Sequence, residues 1–154
     1  GALSNNSGQM VSGATQTATV TGAVSNQSGT MQANGALSLQ AGSADNTGGH
    51  IASLNADGLN LTVSGLLKNG AGGSIGGNGN VTIRAGQVAN AGSITAVQNL
   101  IASAVQTLFS SGTLAANGNA TLSAGTSLTN SGSITAASAA SITASTFDNS
   151  SGTT

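Results

Sequence analysis

This sequence is short of the residues that usually give a folded protein its cross-links, rigid turns and surface charge. It contains no Cys, Pro, Trp, Tyr or Glu, and only 3% of its 154 residues are charged. Without Cys, it can form neither a disulfide scaffold nor a thiolate metal site. Its formal net charge of −1 gives no basic patch for nucleic acid. Protein surfaces usually carry about 25–35% charged residues, so Ser, Thr, Asn and Gln must hydrate this one.

Long apolar segments are also missing. No run approaches the roughly 18 consecutive apolar residues of a membrane helix, and the first residues lack the charged and apolar regions of a signal peptide. If the protein is secreted, its targeting segment lies outside this stretch. The 24 glycines and the many serines suit a disordered chain. Against disorder, 38% of the residues are apolar and they alternate with polar ones, which predicts strands with one buried face.

What the sequence does contain is a repeat, written most clearly in residues 126–144. Asn recurs at intervals of 19 to 23 residues, with Ser110 replacing it once. We call a set of equivalent positions in successive repeats a column, and the asparagine column consists of Asn5, Asn26, Asn46, Asn69, Asn90, Asn130 and Asn149. An apolar column precedes it, a glycine column follows it, and a second apolar column runs from Met10 to Ile134. Asn130 and Gly132 interrupt the alternation. Because both residue types tolerate left-handed backbone angles, we expect the chain to bend there in that conformation.

A unit of about 20 residues with two or three short strands cannot bury its apolar face alone, but stacked copies bury a continuous column. The sequence therefore predicts an all-β fold, a right-handed parallel β-helix of seven to eight rungs, forming one domain over 1–154. Helical solenoids are excluded because their units need about 33 residues or more. Asn favours turns and can form stacked amide ladders. We therefore predict that the asparagine column has a structural role, in turns and in a hydrogen-bonded ladder.

The side chains able to carry out acid–base or ionic chemistry are few and scattered: Asp45, Asp57, Asp148, Lys68, Arg84 and His50. The register places Asp45 and Lys68 in adjacent rungs, which predicts a surface ion pair, and puts Asp148 five rungs away from Asp45. His50 falls in a polar column with no Asp or second His in register. We therefore predict no catalytic residue, no cofactor site and no metal site, and a protein that is not an enzyme.

Departures from the repeat mark candidate contact positions. Extra residues fall around Asn55 and Asp57 and in the glycine-rich run that contains Asn78, and binding residues are often carried on such loops. Phe109 falls in the outward column of Asp45 and Lys68, where it either stays exposed as a contact or folds over a neighbouring rung. Gln16 stands where a core residue belongs.

The unit Leu128-Thr-Asn130-Ser-Gly132-Ser-Ile134-Thr-Ala136, repeated over nearly the whole chain, resembles the filamentous-haemagglutinin repeats of bacterial two-partner secretion exoproteins. These exoproteins include adhesins and contact-dependent growth inhibition effectors. The resemblance implies a β-helical shaft, an outer-membrane secretion partner, an extracellular or surface location on a Gram-negative bacterium, and a receptor on host cells or other bacteria that the parent protein contacts. The family's proline-containing secretion motifs are absent, so we expect an interior segment. Its open ends could self-associate end to end or along an edge.

Three functions follow from these observations. The leading one is a structural shaft and adhesion module that extends and presents binding or toxin modules. An ice- or surface-binding β-solenoid is the alternative, but Gln9 and His50 interrupt the hydroxyl column that it needs. A carbohydrate-active β-helix is less favoured because its chemistry needs clustered charges, and Asp45, Asp57 and Arg84 would have to converge in one groove.

Overall fold

The computed structural model describes residues 1–154, and all of its regular elements are β-strands. In chain order they are β1 Leu3–Ser4, β2 Gln9–Ser12, β3 Gln16–Thr19, β4 Ala23–Ser25, β5 Thr30–Ala33, β6 Leu37–Ala41, β7 Ser43–Asp45, β8 His50–Ser53, β9 Leu59–Asn69, β10 Ser74–Gly77, β11 Val81–Asn90, β12 Ser93–Ala96, β13 Leu100–Ala104, β14 Thr107–Ser110, β15 Thr113–Ala116, β16 Ala120–Asn130, β17 Ser133–Ala136 and β18 Ala140–Asp148. The structure contains no helix that could span a membrane.

Each rung contributes to three faces, and the faces stack into a coil. Face 1 holds the strands that lead into the asparagine column, such as β4, β7 and β14. Face 2 is a seven-stranded sheet that contains β2, β5, β8, β10, β12, β15 and β17. Face 3 contains β3, β6, β13 and the first halves of β9, β11, β16 and β18. These four longer strands then pass round a corner into face 1. All pairings are parallel, so the chain is a parallel β-solenoid, as the repeat predicts.

The register stacks like residues on like. Ile75 pairs with Ile51 on one side and with Ile94 on the other, and the same column continues through Leu114 to Ile134. These side chains belong to one core of 30 buried apolar residues that runs through the coil. Burying a single Leu or Ile side chain contributes about 1.5–3 kcal/mol, so the stacked rungs supply together what one rung cannot. Gln16 pairs with Leu37 at the edge of this core, and its amide oxygen is buried without a hydrogen-bond partner.

The glycine column has a different physical reason from the one predicted. Gly92 and Gly132 do not adopt a left-handed backbone, and neither does Asn130, because positive φ is confined to Ser7, Ser28, Gly48, Gly58 and Gly72. Instead, a Cβ atom on Gly92 would clash with the carbonyl oxygen of Gly73 in the rung before. Close approach between rungs, rather than backbone angle, therefore restricts this column to glycine.

The positive-φ residues reveal two kinds of turn between face 1 and face 2. In the first rungs two or more residues separate Asn from the column glycine, and one of them, such as Ser7 or Ser28, takes a φ of 53° or 54°. From Asn90 to Asn130 only one residue intervenes, and no residue of these turns has positive φ. The turn is therefore shortest in these rungs and lengthens again at Asn149, where two residues precede Gly152, while the asparagine and isoleucine columns stay in register.

Ile94→Asp is expected to unfold the central rungs, because it places an unpaired charge in a fully buried column. The neighbouring change Thr95→Asp, on the exposed side of β12, serves as the matched control and should leave the fold intact. Circular dichroism and thermal melting of both variants test the assigned register. Equal melting temperatures for the two variants would show that the register is wrong.

Candidate functional site

The asparagine column forms a buried hydrogen-bonded ladder. Asn26 Nδ2 donates to Asn46 Oδ1 at 2.7 Å, Asn46 donates to Asn69 at 2.9 Å, and Asn69 donates to Asn90 at 2.8 Å. The same contact joins Asn5 to Asn26 at one end and Asn130 to Asn149 at the other. An unpaired buried amide costs about 1–3 kcal/mol, so stacking in register is what makes a polar column tolerable inside the coil.

Each amide also holds the turn beside it. Asn46 Nδ2 donates to the carbonyl oxygen of Gly49 in its own turn at 3.1 Å and to that of Ser74 in the next rung at 3.1 Å. Asn69 makes the matching contact with the carbonyl oxygen of Ser93 at 3.0 Å. The ladder therefore connects face 1 of one rung to face 2 of the next.

The side-chain hydrogen bonding of the ladder is interrupted once, at Ser110. Asn90 donates to Ser110 Oγ at 3.1 Å, but no side-chain hydrogen bond joins Ser110 to Asn130, although their backbones pair in register. Asn130 Oδ1 instead accepts from the backbone N–H of Gly132 at 3.2 Å. The shorter serine side chain thus divides the ladder into two hydrogen-bonded segments.

The structure places three of the four candidate contact residues together. Asn55, Asp57 and Asn78 are exposed at the corner between face 2 and face 3. Asn55 Oδ1 accepts from the backbone N–H of Asp57 at 3.0 Å, and Asn78 Nδ2 donates to the carbonyl oxygen of Leu54 at 2.9 Å. These bonds hold the irregular turns in a defined shape, with the Asp57 carboxylate free of any ion pair.

Phe109 lies apart from those three, on face 1. Its register partner is Ala89, and its side chain remains 45% exposed. The ring borders a shallow apolar hollow of about 150 Å³, shared with Leu66, Lys68 and Ala89. Phe109 therefore both covers neighbouring rungs and stays open to solvent, which joins the two alternatives drawn from the sequence.

Asp45 is the centre of the strongest polar cluster on the surface. Its carboxylate accepts from Thr47 Oγ1 at 2.6 Å and from Gln27 Nε2 at 3.0 Å, and it forms the predicted ion pair with Lys68 at 3.2 Å. Burial raises the pKa of Asp45, but hydrogen bonds from Thr47, Gln27 and Lys68 outweigh it and lower the pKa from 3.8 to about 2. The pKa of Asp148 is lowered too, chiefly by a hydrogen bond from the backbone N–H of Ser150.

The remaining titratable residues do not gather around this cluster. Arg84 lies on face 3, Asp57 at the opposite corner and His50 on face 2, where Thr30 and Ser74 flank it. No group of three or more His, Cys, Asp or Glu side chains is placed to hold a metal ion. Asp45, Asp57 and Arg84 thus occupy three separate parts of the surface.

Two features of the surface were not predicted from the sequence. A second, exposed amide ladder joins Asn80, Asn99 and Asn119: Asn99 Nδ2 donates to Asn80 Oδ1 at 3.0 Å, and Asn99 Oδ1 accepts from the backbone N–H of Asn119 at 2.9 Å. Its spacing of 19 and 20 residues is visible in the sequence but covers only three rungs. The other feature is an open groove at the corner between face 3 and face 1, for which no sequence signal exists because its depth depends on how the strands bend.

The fold defines this chain as a β-solenoid built from stacked repeats. The family described as "Haemagglutinin repeat" matches residues 1–71, 53–113 and 106–154, so the matches reach from end to end. The chain belongs to the haemagglutinin repeat family.

The chain is also similar to part of a much larger curated protein, the tRNA nuclease CdiA-2 of Burkholderia pseudomallei (strain 1026b). The two are 45% identical over 62 residues, which is 35% of this chain and 2% of that protein. This chain therefore corresponds to a small fraction of its relative, and the similarity lies within repeat sequence. No solved structure matches the chain.

Ser110→Asn is expected to stabilise the protein, because the longer amide can accept from Asn90 and donate to Asn130, which removes the interruption in the ladder. Net gains per internal hydrogen bond are about 0.5–1.5 kcal/mol, so the free energy of unfolding should rise by roughly 1 kcal/mol. Ser111→Asn, at the exposed neighbouring position, is the matched control. Urea denaturation measures both variants, and a destabilised Ser110→Asn protein would contradict a ladder that depends on amide continuity.

Acid should weaken the fold through Asp45. Because its folded pKa of about 2 lies below the ordinary value of 3.8, its ionised form stabilises the folded state fully above that ordinary value. This contribution is lost as the pH falls from about 4 toward 2. Asp45→Asn should flatten the fall in melting temperature over this interval, whereas Asp57→Asn should not. Identical pH profiles for Asp45→Asn and the unaltered protein would argue against a stabilising Asp45 cluster.

Proposed function

We propose that this chain is a segment of the shaft of a large exported exoprotein, which extends and presents binding or toxin modules and contacts surfaces through its own exposed side chains. The observation that carries the proposal is the unbroken register of the coil. Residues at successive 19- to 23-residue intervals pair from Leu3 to Asp148 on face 1 alone. Repetition of one rung produces length, which is what a shaft requires.

The dimensions and internal bonding suit this role. Rungs of a β-solenoid are about 4.8 Å apart, so the seven steps of this coil span roughly 34 Å. Backbone hydrogen bonds, a continuous apolar core and the amide ladder all run along the axis. A structure bonded in this direction resists extension, and further repeats would lengthen it without new architecture.

Membership of the haemagglutinin repeat family and the similarity to CdiA-2 support a place in two-partner secretion. In this proposal the parent protein leaves a Gram-negative bacterium through an outer-membrane partner and remains at the surface or is released. Its receptor lies on a host cell or on another bacterium. The nuclease activity in the name of CdiA-2 belongs to that protein. In this proposal the repeat segment carries a toxin module and is not itself the enzyme.

Binding of the labelled 154-residue chain to epithelial cells and to neighbouring bacteria tests the adhesive part of the proposal. We expect saturable binding that weakens in Phe109→Ser or in the double variant Asn55→Ala/Asn78→Ala. Thr129→Ala, in the same outward column as Phe109, is the matched control. If the folded chain shows no saturable binding to any cell, the adhesive role is excluded and only the spacing role stands.

A further inference from the structure

A shallow groove, which we call the corner groove, runs parallel to the coil axis where face 3 turns into face 1. Ala41, Val63, Ala85 and Ala104 lie beneath it with their side chains buried in the core, and Val105 is an exposed apolar side chain that lines it. One part, of about 390 Å³, surrounds Arg84, and a second part, of about 350 Å³, continues toward the first rungs. Thr62 and Ser64 line both parts, so the groove is continuous across five rungs.

One wall of the corner groove carries unused hydrogen-bonding groups. Thr19, Gln40, Thr62 and Arg84 occupy the same column in four consecutive rungs, and all four side chains are exposed. None of them forms a side-chain hydrogen bond within the protein, whereas the next residue in the column, Ser103, pairs with Ser123. At about 4.8 Å a rung, the free groups extend over roughly 14 Å. They form a polar track with no partner in the chain.

Arg84 gives this track a positive charge. The other basic side chain, Lys68, is neutralised by Asp45, whereas Arg84 has no ion pair. A guanidinium presents several N–H donors in a planar fork that fits an oxyanion such as a carboxylate or sulfate. The surface is otherwise nearly uncharged, so Arg84 is placed to select an acidic group.

Other extended ligands fit the corner groove poorly. A peptide that adds a strand needs an unpaired sheet edge, but β11 is already paired on both sides, to β9 and to β13. Nucleic acid needs several cations along its phosphates, and the groove has one. What remains is an uncharged to weakly acidic chain rich in hydroxyl groups.

We infer that the corner groove binds a linear acidic glycan, whose hydroxyls contact Thr19, Gln40 and Thr62 and whose carboxylate or sulfate contacts Arg84. Hydroxyl and amide side chains both donate and accept, as sugar hydroxyls do. The exposed side chain of Val105 offers an apolar contact for the C–H face of a sugar ring. The inference rests on the adhesive contact proposed above and gives that contact a ligand class.

Titration calorimetry of the 154-residue chain tests the inference with hexagalacturonate, its fully methyl-esterified form, and sulfated and unmodified maltohexaose. We expect an acidic hexasaccharide to bind, and its neutral counterpart to bind at least about ten-fold more weakly, as charged hydrogen bonds require. The preferred acidic form identifies carboxylate or sulfate as the group on Arg84. Arg84→Gln should lose about ten-fold in affinity and Thr62→Val several-fold, while Lys68→Gln, which removes the other cation, should bind normally.

Equal binding of acidic and neutral forms, unchanged affinity in Arg84→Gln, or no binding of any acidic hexasaccharide would overturn the inference. Arg84 and Thr62 are exposed, so circular dichroism should show that their variants remain folded. Cell binding separates this inference from the proposed function. If no acidic hexasaccharide binds but the chain binds cells saturably, the glycan site fails and the adhesive role stands. If the chain binds the hexasaccharide but no cell, the glycan site stands and the adhesive role fails.

Discussion

Parallel hydrogen bonding between successive rungs is the constraint on which the rest of this structure depends. Because each rung pairs in register with the next, every residue lies on its equivalents about 4.8 Å above and below. A residue type that stabilises the coil at one position therefore does so again in each rung where it recurs, and a destabilising residue type is likewise repeated along the axis. Leu and Ile stack into a continuous core, and a charge placed there would disturb two neighbouring rungs as well as its own.

The same constraint explains how a polar column can lie inside the coil. The asparagines of the column are buried except for the half-buried Asn149, and for the buried ones the neighbouring rung supplies an acceptor for the side-chain amide. Ser110 shows the dependence from the opposite side, because its shorter side chain keeps one contact and loses the other. The spacing of the rungs also explains the glycine column. The turn backbone of one rung lies against a carbonyl oxygen of the rung before and leaves no room for a side chain.

Outward-facing columns are freer to vary, and exposed apolar side chains occur from Val11 in the first rung to Phe147 in the last. Arg84, Lys68, Leu66 and Phe109 all lie on or near the corner between face 3 and face 1. The neighbouring Gln87 and Gln106 join there through an amide hydrogen bond of 2.6 Å. The corner groove lies beside these residues.

The sequence by itself determined the rung length, the buried columns, the pairing of Asp45 with Lys68 and the family. The rung length and the buried columns follow from the period of the repeat. The same period places Asp45 and Lys68 in one column and gives the repeat unit by which the family is recognised. Tertiary structure alone decided the rest. It assigned the glycine column to close packing instead of left-handed angles, left Ser110 unbonded to Asn130, and placed Phe109 over Ala89. It also opened the corner groove around Arg84. These features depend on distances of a few ångströms between rungs, and residue order fixes which positions stack but not how closely they approach.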